Sequence, residues 1–351
     1  MWDIKYPGGI MNINKIFEIQ NKIVPETMDL LLKRYEILKV VSTSQPIGRR
    51  SLSAKLGISE RIMRTEIDKL KEMDLIYIQS AGVKLTEEGF RLLSEIHSTF
   101  YYVNNLSEIE LQLMEKLKLK RVSVVSGDAE KDPFSFNELG KRAAEIVLEL
   151  IKNDTVLGIC GGTTMACVVN QMKRKKGIKN VLIVPARGGL SEELEIQANT
   201  LAANLAEKLG SSYKLLHIPD NLDEQELNIL KNNKLINDVL EDIQRINLLV
   251  FGLGNALNMA TRRKSDKSVF EKIESDGLTA EAFGYFFDKD GNVKMQTNSV
   301  GITLDNFKEI KNSVGVAGGS SKAEAIYAIS KFNNNFILVT DEAAAKRILE
   351  L

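Results

Sequence analysis

Four glycine-rich stretches hold the residues best suited to chemistry in this sequence. Cys160-Gly161-Gly162-Thr163-Thr164 closes an apolar run and opens a helical pattern. Glycines let backbone approach an anion closely, and free N–H groups at a helix start, with two hydroxyls beside them, form a phosphate cradle. No Gly-Lys-Ser/Thr follows, so this is not a Walker motif. Arg187-Gly188-Gly189 follows a second apolar run, where a guanidinium suits bidentate contact with an anion. Gly252-Leu253-Gly254 follows a third, with Thr261-Arg262-Arg263 shortly after. Gly318-Gly319-Ser320-Ser321-Lys322 follows a fourth and places a lysine on the first turn of the next helix. Each turn alone also reads as a plain strand–helix connection. Together, three of them followed by basic residues, they predict a site for a small ligand with one or two phosphates. Glu281, in Ala280-Glu281-Ala282-Phe283-Gly284-Tyr285-Phe286-Phe287-Asp288, suits sugar hydroxyls or a surface salt bridge.

A second chemical signal lies nearer the N-terminus. Between Gln45 and Arg64 stand Arg49, Arg50, Lys55, Arg61 and Arg64 against one acid, Glu60. A short helix over Arg50–Leu56 should end at Gly57, which tolerates the left-handed conformation of a helix end. Ile58 can pack inward, and Ser59 is a good N-cap for a second helix running to about Met73. Ile62, Met63, Ile67 and Leu70 make one apolar face of that helix. Ser59, Glu60, Arg61, Arg64 and Thr65 lie on its other faces. This is the pattern of a helix-turn-helix, whose second helix enters the major groove N-terminus first. Leu75–Ile78 and Val83–Thr86, joined through Gln79-Ser80-Ala81-Gly82, form a hairpin that completes a winged helix. Arg49, Arg50, Ser59, Arg61, Arg64 and Thr65 are the expected DNA contacts, with Arg61 and Arg64 within reach of base edges. A protein-interaction module with a solvated charged face is the plain alternative.

The elements that must position these residues fall into two textures. From about residue 12 to 118 the pattern is almost wholly helical. Beyond 120, Arg121–Ser126, Thr155–Cys160, Val181–Ala186, Tyr213–Ile218, Asn247–Phe251, Ser313–Val316 and Asn335–Thr340 alternate with amphipathic helical segments. Near-continuous apolar runs suit parallel strands covered on both faces, so an α/β domain with a doubly wound, mostly parallel sheet is expected. Ligands of such sheets bind beyond the carboxyl ends of strands, where the glycine-rich turns lie. Domains are expected at 12–90 for DNA binding, 91–119 for a helical connector, and 120–351 for ligand binding and oligomerisation. Thr86–Lys118 is either a dimerising helix pair or a support for the wing. Helix-turn-helix proteins usually act as dimers on two-fold operators.

Composition limits the alternatives. At 351 residues the chain is long enough for two or three domains. Lys+Arg and Asp+Glu are both 47, which excludes a globally basic or acidic binder but not a local patch. No apolar stretch reaches the length of a membrane helix, and the first residues lack the apolar core of a secretory signal. Met11 is an alternative start. Cys160 and Cys167 are too few for a disulfide framework and fit buried inert thiols in a reducing cytoplasm. No Cys/His spacing suggests a metal, and no catalytic residue or cofactor is expected.

These motifs jointly resemble bacterial transcription regulators of the SorC family, along nearly the whole chain. The resemblance rests on the winged helix and on Gly161–Thr164, Ala186–Gly189, Ala280–Asp288 and Ala317–Ile326. The family's effector domain is similar to sugar-phosphate isomerases and deaminases of the glucosamine-6-phosphate deaminase type, and its effectors are phosphorylated sugars. For the subgroup that represses a glycolytic operon, the resemblance implies fructose 1,6-bisphosphate. It implies one phosphate around Gly161, Gly162, Thr163 and Thr164 with Lys322 nearby. It implies Arg187, Gln197, Arg262 and Arg263 for the other phosphate and the sugar, and Glu281 for hydroxyls. The first ten residues match nothing in this pattern. The competing class is a sugar-phosphate isomerase or deaminase fused to a DNA-binding head. Such an enzyme needs a carboxylate base and an imidazole or second acid at the reactive carbons. Only His217 lies near an expected strand end, with no acid constellation beside it. A repressor that binds operator DNA, a phosphorylated sugar and itself, as a dimer or tetramer in the cytoplasm, is the expected function.

Overall fold

A computed structural model of the chain describes residues 23–103, 106–188, 193–218, 224–231, 233–297 and 300–351. Met11 and Gly189 lie outside the described residues. The chain divides into two compact units, Ser107 closing the first and Glu108 opening the second.

In the first unit, the helix Pro25–Ser44 carries proline in its first turn and buries Tyr35, Ile37, Leu38 and Val41. Helices Arg49–Leu56 and Glu60–Glu72 follow. Gly57 takes φ +64° and its N–H donates to the Ser53 carbonyl, ending the first of these. The Ser59 hydroxyl accepts from Ile62 N–H at 3.4 Å, starting the second. Met63, Ile67 and Leu70 are buried, but Ile62 is 46% exposed, which corrects the expected apolar face. The buried stripe runs through Met63, Glu66, Ile67 and Leu70, and Ile62 sits one step round the helix from it. Glu66 tolerates burial because Arg34 Nε lies at 2.9 Å and Lys33 Nζ at 3.7 Å. Strands β1 (Ile76–Gln79) and β2 (Gly82–Leu85) pair antiparallel with Gln79 opposite Gly82. Val83 also exchanges backbone hydrogen bonds with Ile47, at 2.9 and 3.2 Å. Gly82, at φ +138°, passes so near that a Cβ would lie 2.7 Å from the Ile47 carbonyl. The helices Glu87–Val103 and Leu106–Leu117 follow the hairpin.

The strands of the second unit are β3 (Arg121–Val125), β4 (Val156–Ile159), β5 (Leu182–Pro185), β6 (Ser212–Tyr213), β7 (Leu248–Gly252), β8 (Gly254–Asn255), β9 (Leu278–Ala282), β10 (Tyr285–Asp288), β11 (Val293–Gln296), β12 (Asn312–Val316) and β13 (Ile337–Asp341). Seven of them make a wholly parallel sheet in the order β3-β13-β12-β7-β4-β5-β6. Leu157, Ile159, Leu248, Val250, Val314 and Val316 pack with helices Pro133–Leu150, Thr163–Gln171 and Ala198–Leu209. Leu249, Phe251 and Leu338, at alternating positions, are equally buried, so both faces are covered.

Two differences from expectation have local causes. The strand expected over Tyr213–Ile218 is reduced to Ser212–Tyr213. Leu216 instead pairs its N–H and C=O with the Asn199 side-chain amide, at 2.9 and 3.0 Å, which replaces a strand neighbour. The segment from Gly254 to Gln296 forms a second, antiparallel sheet, β11-β10-β9-β8, that the apolar-run pattern does not mark. Its strands are short and mix charged with apolar residues. Within it, β9 and β10 turn through Phe283 and Gly284 at φ +57° and +88°, the doubly left-handed signature of a tight hairpin. A phenylalanine is strained there. Its ring packs on Phe251 and Phe307, at centroid distances of 5.1 and 5.0 Å, which holds it in place.

Candidate functional site

Sheet order converts separate turns into one row. The strands β5, β4, β7 and β12 are consecutive neighbours, so the four glycine-rich turns at their carboxyl ends lie side by side. After β4, Gly161 approaches the segment Ile196–Ala198 so closely that a Cβ would lie 2.8 Å from Ile196 O. Gly162, at φ +121°, donates its N–H to Ile196 O at 2.8 Å. These contacts bring Gln197, the residue before the helix Ala198–Leu209, beside Gly161 and Gly162. Thr163 and Thr164 open the helix Thr163–Gln171, whose N-cap, Gly162, has no side chain to cap its first N–H groups.

Basic side chains converge from the neighbouring turns. Arg262 ends the helix Ala256–Arg262, which Asn255 caps, and its Nη2 lies 3.5 Å from Thr163 Oγ1. Lys322 comes from the turn after β12. Burial pulls the Lys322 ammonium below its ordinary range; Glu130 opposes this and Arg262 adds to it. The expected grouping named Arg262 with Arg187, Gln197 and Arg263; its neighbour across the turns is Thr163.

Glu281 organises the other half. It is 3% exposed, and its Oε1 accepts from Gly284 N–H at 2.6 Å and Arg263 Nη2 at 2.9 Å. Arg187 Nη1 lies 3.7 Å from the same oxygen, and Arg187 Nη2 is 3.4 Å from Thr297 Oγ1. Two guanidiniums therefore face one buried carboxylate. Arg263 Nη1 is buried with no hydrogen-bond partner among the described residues, a donor suited to an anionic or hydroxylated ligand. Cys160 sits behind this group. Burial first, then the Glu281 carboxylate, push its thiol up to about 12, against the pull of Arg187 and Arg263. Such a thiol stays protonated at neutral pH. His217 is exposed, on the segment after β6 rather than among these turns.

Two residues that sequence reasoning missed shape the same rim. Asp341, fully buried at the end of β13, accepts from Ala129 N–H and Gly319 N–H, both at 2.6 Å, and from Ala344 N–H at 2.8 Å. Glu130, after β3, reaches Ser321 and Lys322. Asp341 is the last residue of one parallel strand and Glu130 lies in the turn after another, so the strand-end rule that found the other turns could have found them.

In the first unit, Arg49, Arg50, Ser59, Arg61, Arg64 and Thr65 are all exposed. They lie on and just before the two helices joined at Gly57. Arg50 Nε is 3.7 Å from Glu60 Oε1 in a solvent-exposed pair worth little, so the guanidinium stays available. Thr65 Oγ1 donates to the Arg61 carbonyl at 3.2 Å.

Comparison with known proteins agrees with both regions. Residues 30–100 match the family profile of the CggR N-terminal DNA binding domain, and residues 101–350 match that of a sugar-binding domain. The chain is 41% identical over 337 residues to the central glycolytic genes regulator of Bacillus subtilis (strain 168), covering 96% of this chain and 99% of that protein. The regulator of the same description from Priestia megaterium is 41% identical over 338 residues, 96% and 99% of the two chains. Among solved structures, a SorC family transcriptional regulator from Enterococcus faecalis superposes with a TM-score of 0.65 at 35% identity, over 69% of this chain and 99% of that one. The full-length sorbitol operon regulator SorC from Klebsiella pneumoniae gives 0.63 at 19% identity, over 92% and 99%, a likeness of fold.

Proposed function

This chain belongs to the SorC family of bacterial transcriptional regulators, with a DNA-binding head and a sugar-binding domain, and we propose that it represses a glycolytic operon until a phosphorylated sugar releases it. The effector we infer is fructose 1,6-bisphosphate. The observation that carries this reading is the cluster at four adjacent strand ends. There, the helix start at Gly162–Thr164, with Arg262 at Thr163 and Lys322 on the turn after β12, accompanies the Arg187–Glu281–Arg263 group. One phosphate would sit on Gly161, Gly162, Thr163 and Thr164 with Arg262 and Lys322. The second phosphate and the sugar would meet Arg187, Gln197 and Arg263, with Glu281 first fixing the arginines and then ordering hydroxyls.

The head reads as a winged helix-turn-helix. The left-handed Gly57 turn, the Ser59 cap and the β1–β2 hairpin support that reading, with the helix Glu60–Glu72 in the major groove. The all-parallel sheet with ligand-facing turns supports kinship with sugar-phosphate isomerases of the glucosamine-6-phosphate deaminase type, used for binding without turnover. The regulator would act as a dimer or tetramer in the cytoplasm, where phosphorylated sugars and the chromosome meet. Among the described residues no helix is long and apolar enough to cross a membrane.

The mechanism is linkage. Ligand prefers a state whose heads no longer match the operator half-sites, so operator affinity falls by the ligand's differential affinity for the two states. The test is operator binding by fluorescence anisotropy with a panel of phosphorylated hexoses and trioses, alongside thermal denaturation. Fructose 1,6-bisphosphate should give the largest rise in melting temperature and release the DNA. Release by none of the panel, or conversion of a panel member to product at a useful rate, would overturn the reading.

A further inference from the structure

We propose that Glu130 is a specificity-determining residue: its carboxylate fills the anion position at the Gly319–Lys322 turn of the free protein, so that a phosphate must displace it. The inference deepens the sugar-phosphate reading of this site and rests on it for the identity of the ligand, though not for the charge it requires.

Glu130 Oε2 accepts from Ser321 N–H at 3.2 Å, and Oε1 accepts from the Ser321 hydroxyl. Lys322 Nζ lies 3.8 Å from Oε1. A backbone amide, a hydroxyl and an ammonium are the donors that a phosphate takes at such a turn. The side chain also lies flat on Gly319, where a Cβ would stand 2.1 Å from Glu130 Cγ. Gly319, at φ +94°, leaves the space that the carboxylate fills.

The arrangement is built into the fold. Asp341 Oδ2 accepts from Ala129 N–H and from Gly319 N–H, so one buried carboxylate fastens both the residue before Glu130 and the turn that Glu130 caps. The Glu130 side chain is 34% exposed and that of Lys322 23%, so the contact is open enough to be exchanged. Any anion drawn to the Lys322 ammonium therefore meets Glu130 as a competitor already seated on it.

Charge decides the competition. A carboxylate brings one negative charge, whereas a phosphate monoester brings about −1.5 to −2 and three acceptor oxygens. A phosphate can displace Glu130, while a neutral sugar has nothing to offer the donors in exchange. The internal carboxylate thus lowers the apparent affinity for every ligand and lowers it least for the most highly charged, in proportion to how rarely the turn stands open.

The test is calorimetric titration of the full chain and its Glu130→Gln and Glu130→Ala variants with fructose 1,6-bisphosphate, inorganic phosphate and unphosphorylated fructose. Both variants should bind the bisphosphate and inorganic phosphate about threefold to tenfold more tightly, as loss of a partly exposed ion-pair competitor allows. Fructose should remain without measurable binding. Glu130→Gln keeps the side chain's shape, so it serves even if Glu130→Ala folds poorly. Unchanged or weaker affinity for both anions in Glu130→Gln would overturn the inference, since Glu130 would then be neutral or itself a ligand contact. If the bisphosphate binds none of the three proteins while inorganic phosphate binds the variants more tightly, the effector reading falls and the role of Glu130 stands.

Discussion

Arg262 and Glu281 hold opposite kinds of charge in opposite settings. Arg262 is exposed and touches one hydroxyl, whereas Glu281 is buried against two guanidiniums and an N–H. Arg262→Ala should therefore change stability by no more than about 0.5 kcal/mol. It should weaken sugar-phosphate binding about tenfold or more, the scale of a lost charge-assisted hydrogen bond. Calorimetry beside a thermal melt separates the two effects, and unchanged binding would remove Arg262 from the site. Lys322 supplies a pH signature. Burial and Arg262 hold its ammonium below the ordinary lysine range, and a bound phosphate would restore it. Binding then takes up a proton, so affinity is full below the lowered free-state pKa and declines as pH rises past it. Titrations at alkaline pH in buffers of different ionisation enthalpy should show net proton uptake. Proton release or none would mean that no phosphate reaches Lys322.

At the level of elements, each site depends on a turn whose geometry is locally specified. The helix Glu60–Glu72 starts where Ser59 caps it and points its exposed arginines away from Met63, Ile67 and Leu70. Arg64→Ala should leave folding intact and weaken operator binding. If Arg64 meets a base, the loss should be about 1–3 kcal/mol on the operator and small on unrelated DNA; if it meets a phosphate, the loss is uniform and the salt slope falls by about 1. Undiminished affinity for both DNAs would exclude the helix from the groove. The β9–β10 hairpin does the equivalent for the ligand site. Phe283→Ala removes the ring packed on Phe251 and Phe307 and should cost about 3 kcal/mol. Because Gly284 N–H fixes Glu281, the variant should also lose sugar-phosphate affinity. A variant that melts early but binds as before would make the hairpin a support for the core only.

For the whole molecule, the regulator reading makes a quantitative demand. If the sugar phosphate lowers operator affinity by some factor, operator DNA must lower sugar-phosphate affinity by the same factor. Titrating fructose 1,6-bisphosphate with and without saturating operator measures one factor, and titrating operator with and without sugar measures the other. Unequal factors at one salt concentration would refute a linked equilibrium. Salt has to be fixed because the head's local basic patch, in a chain of zero formal net charge, makes DNA affinity fall steeply with ionic strength.

The head was legible in the sequence almost residue by residue, because its signals are local. Gly57 and Ser59 act within one helical turn of themselves, and the hairpin loop joins residues three apart. The parallel strands were legible too, since burial on both faces demands continuous apolar runs, and so were the phosphate-suited turns at their ends. Tertiary structure alone decided which turns lie together. Thr163 and Arg262 are separated by 99 positions and Ser321 and Glu130 by 191. Those distances close only through the strand order β12-β7-β4-β5 and the packing of β3 beside β13. Apolar runs report that a strand is buried and not which strand lies beside it. The antiparallel sheet escaped for the converse reason, its short strands being held by a Phe-Gly turn and an aromatic cluster rather than by a pattern of their own.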